Sequence, residues 1–193
     1  LMMVAWSFEG ARCLGVEAQP VSAELAQRSI VLNGVDDRVR VVHADFRSAG
    51  ADAALDDEGP FDLVTGTPPY FADGAAVMSD AVQRGPCRFE LRGGVEDYVG
   101  TAARRVADGG RIVVCAAAGQ RERVEAAAAA AQRAVWRLDV VPREGKAPLL
   151  SVFELTEGTG IAEGTPLVVR DRDGQWTAAF RAVRDQMGMP SGR

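Results

Sequence analysis

The stretch FDLVTGTPPYF, residues 61–71, is an apolar, strand-like run that ends abruptly in two prolines and two aromatic residues. Phe61, Leu63 and Val64 suit a buried strand. Pro68 and Pro69 lack a backbone N–H and have a fixed φ, so strand pairing has to stop before them. In open α/β sheets, ligands bind at the carboxyl ends of the strands. The turn is therefore a candidate ligand site if the rest of the chain alternates between strands and helices.

Strand patterns recur along most of the chain, and helical patterns separate them. This alternation predicts an α/β fold with a doubly wound, mainly parallel sheet and an antiparallel pair at its carboxyl-terminal end. The predicted strands are ARCLGVEA ending at Glu17, RVRVVHADF ending at Asp45, FDLVTG, RIVVCAAAG, and two within WRLDVVPREGKAPLLSVFELT.

The helical segments carry recognisable start and stop signals. The acidic segment 48–60 is predicted as a surface connection containing one helical turn. A hairpin at Asp173-Gly174 and a short helix are expected to end the chain. The predicted helices cover residues 1–10, a segment from Ser22 as N-cap to Asn33-Gly34, an amphipathic segment over 95–110 that stops at two glycines, and the alanine-rich segment 120–135.

Size and composition indicate one globular domain. The 193 residues are 47% hydrophobic and 25% charged, and single domains commonly have roughly 100–200 residues. Every apolar run is far shorter than the roughly 20 residues that span a bilayer, and LMMVAW at the start lacks the features of a signal peptide. We therefore expect a soluble, cytoplasmic protein with no membrane partner.

The number of cysteines and histidines and the net charge argue against several kinds of site. Cys13, Cys87 and Cys115 are odd in number and widely spaced, which indicates neither a disulfide framework nor a zinc site. His43 is the only histidine, so neither a His-based triad nor a metal cluster is expected. The net charge of −5 gives no general attraction to nucleic acid, although it is compatible with a local basic face.

Two carboxylates end predicted strands. At the end of the second strand of a nucleotide-binding sheet, Glu17 can accept hydrogen bonds from both hydroxyls of a ribose. An exposed strand end, or a cap on the following helix, explains Glu17 equally well. Asp45, with Phe46 beside it, can accept from an adenine amino group next to an aromatic ring. Taken alone, Asp45 more often fills an N-cap or turn role.

The GTPPYF turn suits a planar amine. Its prolines release the carbonyls of Thr67 and Pro68 from strand pairing, so both can accept hydrogen bonds from an amino group on which Tyr70 stacks. A conjugated amine is a poor nucleophile, and acceptors that draw its hydrogens out of plane make its lone pair available. A stiff surface turn is the alternative, because Pro-Pro is common in loops.

Taken in order, these segments resemble a known family. Glu17, HADF with Asp45, and DLVTGTPPYF are similar to the second, third and fourth motifs of class I S-adenosylmethionine-dependent methyltransferases of the amino-methylating type. PPYF, CRFELRGGVEDY and PREGKAPLL follow in the order found in bacterial tRNA adenine-N6 methyltransferases. The resemblance covers residues 1–156 as one domain and implies a Rossmann-like sheet, S-adenosylmethionine as cofactor and no metal. Residues 157–193 would form a carboxyl-terminal extension of unassigned role.

The resemblance implies a set of cofactor contacts. Glu17 would bind the ribose, Asp45 would bind the adenine amino group, and Phe46 would flank the adenine. The implied set is completed by Ala18, Gly66 and Thr67.

The resemblance also places the methyl acceptor at the proline turn. Residues 72–94 would form a lid or substrate loop, because loops of this length are usually functional. Arg88 and Glu90 are candidates for substrate contact, and Arg143 and Lys146 are weaker ones, with solvated loop charges as the alternative. The residues expected to hold the amine are Thr67, Pro68, Pro69 and Tyr70, with Phe71 beside them.

Two features depart from the family pattern. The glycine-rich first motif is absent, so we expect a chain that has lost its first strand and Gly-rich loop. Thr67 stands where the family usually has Asn, Asp or Ser. Its side chain is shorter than an amide and β-branched, but it can still accept one hydrogen bond.

Three functional hypotheses follow. The first is methyl transfer from S-adenosylmethionine to a planar amino nitrogen, adenine-N6 of tRNA, with RNA as partner. The second changes the acceptor to a protein glutamine amide or a small molecule, which the acidic balance favours slightly. The third is a binding or scaffold protein of the same fold that lost catalysis through the change at Thr67. The sequence leaves the acceptor and the oligomeric state open.

Overall fold

The computed structural model describes residues 1–70 and 89–189. The chain divides into two compact units, Leu1–Pro60 and Phe61–Arg193. Among the described residues, strands and helices alternate as far as Val141, as the sequence predicts. Within the described ranges, every helix is too short or too polar to cross a lipid bilayer.

The first unit is a two-stranded parallel sheet with three helices. The strands pair in register, from Cys13 opposite Val39 to Glu17 opposite His43. Ala5, Ile30 and Val39 are buried together and form its core. Because the strands are parallel, Glu17 and the segment after His43 lie at the same sheet edge. Its elements are α1 (Met2–Ser7), β1 (Cys13–Glu17), α2 (Pro20–Leu32), β2 (Val39–His43) and α3 (Ala49–Glu58).

Four boundaries in the first unit differ from the sequence prediction. Helix α1 ends at Ser7, so the predicted stop at Gly10 was wrong. Helix α2 begins at Pro20 with Gln19 as N-cap, so Ser22 as N-cap was wrong. Proline is favoured in the first turn, where its missing N–H has no partner to lose. Strand β2 ends at His43, two residues before Asp45. Helix α3 has 10 residues rather than one turn, because Ser48 caps the N–H of Ala51.

The second unit contains six strands and three helices among its described residues. Strand β3 leads toward the proline turn, and each of the next two helices leads into a strand. The elements are β3 (Phe61–Gly66), α4 (Val95–Arg105), β4 (Val106–Ala117), a 3₁₀ turn (Ala118–Gln120), α5 (Arg121–Ala130), β5 (Arg133–Val141), β6 (Leu150–Glu157), β7 (Ile161–Glu163), β8 (Leu167–Val168) and α6 (Ala178–Gln186).

The strand order of the second unit brings several strand ends to one edge. The order is β3-β4-β6-β5, with β7 and β8 both pairing with β5. β3 is parallel to β4, β6 is antiparallel to β4 and β5, and β7 and β8 are parallel to β5. The carboxyl ends of β3, β4, β5 and β8 therefore share one side of the sheet, which we call the carboxyl edge. The predicted α/β fold with a terminal antiparallel pair is confirmed.

The core of the second unit lies between its sheet and helices α4 and α5. Residues buried there include Val99, Val124 and Phe153. Helix α4 ends at Arg105, so the predicted glycine stop was wrong. Gly109 and Gly110 fall instead inside β4, next to an irregularity in its pairing with β3.

Two further predictions need correction in the second unit. Helix α5 ends at Ala130 rather than near residue 135, because Gln132 takes a left-handed φ of 54° and β5 starts at Arg133. Leu63, expected to be buried, is 40% exposed, since β3 is the outermost strand of its sheet.

A buried arginine joins the outer strands to α5. Arg137, 5% exposed, lies 3.1 Å from Asp139, 3.0 Å from Glu163 and 3.4 Å from Glu125. The hydroxyl of Ser151 donates a 2.6 Å hydrogen bond to Asp139. A buried guanidinium needs such partners, because an unpaired charge in the interior is costly. The cluster fixes β7 against β5.

Candidate functional site

The proline turn is rigid and partly buried. Pairing between β3 and β4 ends at Gly66 opposite Val114, so Thr67 and Pro68 lie beyond the paired part of the strand. Pro68 and Pro69 are buried, whereas Thr67 is exposed. A purely surface turn would leave its prolines in solvent. The turn is instead anchored in the second unit, with the backbone around Thr67 at the carboxyl edge.

Gln120 holds the turn from the next strand. It ends the 3₁₀ turn after β4 and is 6% exposed. Its Nε2 donates to the carbonyl oxygen of Pro69 at 3.1 Å and to Oε1 of Glu90 at 3.1 Å. The reverse amide orientation would place Oε1 against two acceptors, so the network sets the orientation. Within residues 1–70 and 89–189, the buried Oε1 of Gln120 has no hydrogen-bond partner.

Arg123 of α5 pairs with two carboxylates, one of them on α4, and so extends this network to both helices. Arg123 donates to both oxygens of Glu90, at 2.7 and 3.1 Å. It also donates to both oxygens of Glu96, at 2.7 and 2.7 Å. Fork-shaped pairs of this kind are stronger and more directional than single hydrogen bonds. The pKa of Arg123 is raised, mainly by its hydrogen bonds to Glu96 and secondly by those to Glu90. In return, the hydrogen bond from Arg123 lowers the pKa of Glu96.

A glycine leaves room for these paired charges. A Cβ on Gly94 would lie 2.7 Å from Nη2 of Arg123 and 2.9 Å from Oε2 of Glu90. The N–H of Gly94 donates a 3.0 Å hydrogen bond to Asp97 in the first turn of α4. Any larger residue at position 94 therefore has to displace the guanidinium that pairs with Glu90.

Tyr70 contacts β4. Its hydroxyl lies 3.9 Å from Sγ of Cys115, and the side chain is half-buried. Burial, followed by the nearby Cys115 thiol, raises the pKa of the Tyr70 phenol. The side chain is therefore a neutral phenol at physiological pH, with an aromatic face and one hydroxyl.

The other predicted substrate residues lie in different settings. Glu90 is 13% exposed and contacts Gln120 and Arg123. Arg143 and Lys146 follow β5 and are exposed at the carboxyl edge. Gly66 faces a ring, because a Cβ there would lie 2.9 Å from Cδ1 of Tyr98. Phe71, Cys87, Arg88 and most of the expected lid, residues 72–94, lie outside the described residues.

The predicted cofactor residues of the first unit share one edge. Glu17 Oε1 accepts a 2.7 Å hydrogen bond from the N–H of Gln19, the N-cap of α2. This hydrogen bond corresponds to the helix-cap role, which was the alternative to ribose binding for Glu17. Asp45 accepts from the N–H of Arg47 at 3.0 Å and from its guanidinium at 3.0 and 2.7 Å. Ala18 and Phe46, both half-buried, lie beside these carboxylates in the chain. In the part of the chain that the structure describes, no His, Cys, Asp and Glu side chains cluster as a metal site would require.

The chain is similar to known methyltransferases both in sequence and in structure. A tRNA1(Val) (adenine(37)-N6)-methyltransferase from Haemophilus influenzae is 25% identical over 182 residues, covering 93% of this chain and 74% of that protein. A release factor glutamine methyltransferase from Chlorobaculum tepidum is 34% identical over 90 residues, covering 46% of this chain and 30% of that protein. The crystal structure of a predicted O-methyltransferase from Agrobacterium tumefaciens matches with a TM-score of 0.74 and 20% identity, covering 98% of this chain and 84% of that chain. No protein-family model matches.

The resemblance to class I methyltransferases is confirmed. The structural match shows that the Rossmann-like methyltransferase fold covers nearly the whole chain. A fold of this kind supports many acceptors, so the acceptor has to be argued from the site.

Sequence reasoning missed two residues of the network that holds the proline turn, Gln120 and Arg123. A signal for Gln120 was present, because it is a polar residue directly after the strand RIVVCAAAG, at the same edge as the proline turn. Arg123 gave no comparable signal. In the sequence it is one charge among several on an exposed-looking helix, and only the tertiary structure brings Glu90 and Glu96 to it.

Proposed function

We propose that the protein is an S-adenosylmethionine-dependent methyltransferase that methylates a planar amino nitrogen, adenine-N6 of tRNA. The observation that carries the proposal is the anchored proline turn. Pro68 and Pro69 are buried, and Gln120 fixes the carbonyl of Pro69 from the neighbouring strand. A fixed turn can present its remaining carbonyls to a substrate without reorganising during the reaction.

The turn binds the amine through its backbone. Thr67 and Pro68 lie past the last paired residue of β3, so their carbonyls are placed to accept the two hydrogens of an amino group. The Tyr70 ring, half-buried beside Cys115, offers a stacking surface for the base that carries the amine. A base in structured RNA has to be turned out of its stack to reach such a site.

When bound, S-adenosylmethionine supplies a methyl group on a positively charged sulfur, and the nitrogen–carbon bond forms as the carbon–sulfur bond breaks and the sulfur keeps the electron pair. The methylated nitrogen is then positively charged, and it loses one proton to solvent water. The carbonyls of Thr67 and Pro68 stabilise the developing positive charge on that nitrogen and hold it in line. The Thr67 hydroxyl is not required for either task.

The first unit fits the cofactor's donors. Ribose hydroxyls and an adenine amino group are hydrogen-bond donors, and carboxylates are acceptors. Glu17 and Asp45 place two carboxylates at one edge of the β1–β2 sheet. Only one oxygen of Glu17 takes part in its bond to Gln19. The proposed roles are therefore Glu17 at the ribose and Asp45 at the adenine, with Phe46 flanking the ring.

The extent of similarity favours tRNA as the acceptor. The tRNA-modifying relative is similar over 93% of this chain, whereas the glutamine-modifying relative is similar over 46%. A glutamine side-chain amide is the second candidate, because it also presents a planar nitrogen and the shorter match has the higher identity, 34%.

Transfer of a tritium-labelled methyl group from S-adenosylmethionine separates the acceptors. The protein is incubated with an unmodified tRNA transcript or with a glutamine-containing peptide. We expect label in the RNA, which co-migrates with N6-methyladenosine after digestion to nucleosides. A Tyr70→Ala variant should lose this label, and an Asp37→Ala variant, changed at the opposite edge of the first sheet, should keep it. Label in the peptide alone would make the glutamine amide the acceptor. Label in neither would contradict both acceptors and leave a small-molecule acceptor or the scaffold hypothesis.

A further inference from the structure

The carboxyl-terminal extension folds back onto the loop after β5. Strand β8 pairs with the end of β5, and the N–H of Val169 donates to the carbonyl of Val141 at 2.8 Å. The N–H of Glu144 in the loop then donates to the carbonyl of Arg170 at 2.8 Å. Residues 142–149 and 169–187 thus form one structure at the carboxyl edge, which we call the tail platform.

The platform has a fixed internal arrangement. Thr177 caps α6 by accepting from the N–H of Phe180 at 3.2 Å, and its hydroxyl donates to the carbonyl of Val168 at 2.5 Å. The guanidinium of Arg184 lies 4.2 Å from the ring centre of Trp176, and that of Arg170 lies 5.8 Å from it. Cation–π contacts of this kind hold the hairpin, which turns at Asp173-Gly174 as predicted, against the helix.

The platform carries an excess of positive charge in an acidic protein. It contains six basic and four acidic side chains, whereas the whole chain has a net charge of −5. Arg143, Lys146 and Arg181 are exposed. Arg172 pairs with Glu144 at 3.0 Å, but its side chain is 81% exposed. An ion pair this exposed is worth little and can be exchanged for a stronger anion.

The platform and the proline turn lie on the same edge of one sheet. β3 and β5 are separated by β4 and β6, which makes three strand spacings. At about 4.8 Å per spacing, the turn after β3 and the loop after β5 are roughly 14 Å apart along the sheet. That separation suits a polymer whose reactive group enters the turn while its neighbouring units cross the platform.

We infer that the tail platform binds the phosphate backbone of an RNA whose target base enters the proline turn. The inference rests on the proposed function and adds the surface that recognises the substrate. Arginine forks and lysine ammonium groups are the usual partners of phosphate oxygens, and such contacts set position rather than sequence preference.

The comparisons favour RNA over an acidic peptide on this surface. The similarity to the tRNA-modifying relative spans 93% of the chain and therefore extends into the platform. The platform thus belongs to the part of the chain that is shared with the RNA enzyme.

Salt-dependent RNA binding tests the inference with a matched pair of variants. Arg143→Gln/Lys146→Gln removes two charges from the platform. Arg104→Gln/Arg111→Gln removes two charges away from the carboxyl edge, one at the end of α4 and one in the amino-terminal half of β4. Binding of a fluorescein-labelled tRNA transcript is followed by anisotropy, and thermal unfolding checks that both variants are folded. The platform variant should weaken binding roughly 10-fold at low salt and reduce the slope of log Kd against log salt by about 1.4–1.8. The control variant should change neither.

Each result supports or overturns the docking surface. If the unchanged protein methylates tRNA but the platform variant keeps its Kd and salt slope, the surface is wrong and the proposed function stands. Equal losses in the two variants also overturn it, because the effect is then general charge. If the unchanged protein neither binds nor methylates tRNA, both proposals fall. A polyglutamate peptide that displaces the tRNA and loses affinity in the platform variant alone would assign the surface to an acidic protein partner instead.

Discussion

Gln120 donates a 3.1 Å hydrogen bond to the carbonyl oxygen of Pro69, and this bond ties the turn after β3 to the turn after β4. The same amide donates to Glu90, which Arg123 holds through two further bonds. The turn's position therefore depends on side chains from two other segments. Changes in these side chains should alter methyl transfer without any contact to the substrate.

Gln120→Met tests this dependence. Methionine has a similar length but donates no hydrogen bond, so the buried carbonyl of Pro69 loses its partner. We expect the free energy of unfolding to fall by about 1–3 kcal/mol. Methyl transfer should fall by about 10-fold or more, since a small displacement of a positioned group is costly. Denaturant titration and steady-state kinetics measure the two effects, with Gln27→Met, an exposed position on α2, as control. Full activity in Gln120→Met would show that the turn is positioned without this bond.

Tyr70 is predicted to act through its ring rather than its hydroxyl. Tyr70→Phe keeps the ring and removes only the contact with Cys115, so activity should remain near that of the unchanged protein. Tyr70→Ala should raise the KM for tRNA roughly 10- to 100-fold, because base stacking on an aromatic side chain is worth about 1–3 kcal/mol. Equal losses in the two variants would point instead to the hydroxyl.

The Glu96–Arg123 pair predicts an acid-sensitive contribution to stability. The hydrogen bond from Arg123 lowers the pKa of Glu96 in the folded protein. A carboxyl with a lowered folded pKa stabilises the protein above its unfolded pKa, and this contribution is lost as the pH falls through the folded pKa. Stability should therefore decrease below about pH 4.3, the ordinary value for glutamate. Denaturant midpoints measured from neutral to acidic pH should show a smaller decrease for Glu96→Gln, and parallel curves for the two proteins would contradict the assignment.

Thr67→Asn separates an active enzyme from a lapsed one. If the backbone carbonyls hold the amine, the side chain at position 67 is secondary, and both proteins should methylate tRNA at rates of the same order. The scaffold hypothesis predicts an inactive Thr67 protein and activity only after the change to Asn. Single-turnover methylation of the same tRNA transcript distinguishes the two.

Local sequence patterns were enough to place strands β1 to β6 and the proline turn, but not the short strands β7 and β8. FDLVTG followed by Pro68 and Pro69 combines a strand pattern with a compulsory stop, so β3 and its end were predictable. Helix α3 was underestimated because the Ser48 cap was not recognised before an acidic segment. The ion pairs of Arg123 were out of reach, since Glu90 and Glu96 meet it only after α4 and α5 have packed. Local signals thus identified the turn, while the residues that hold it depend on tertiary structure.

Cofactor binding is the most direct test of the proposed chemistry, because every proposed step requires S-adenosylmethionine. Calorimetric titration of S-adenosylhomocysteine is compared for the unchanged protein, Asp45→Ala and Asp37→Ala. Both aspartates lie in the first unit, Asp45 after β2 and Asp37 before it. We predict binding to the unchanged protein and to Asp37→Ala, and roughly 10- to 100-fold weaker binding to Asp45→Ala, as expected for a lost hydrogen bond to a charged group. Absence of binding to the unchanged protein, or equal binding by Asp45→Ala, would contradict the assignment.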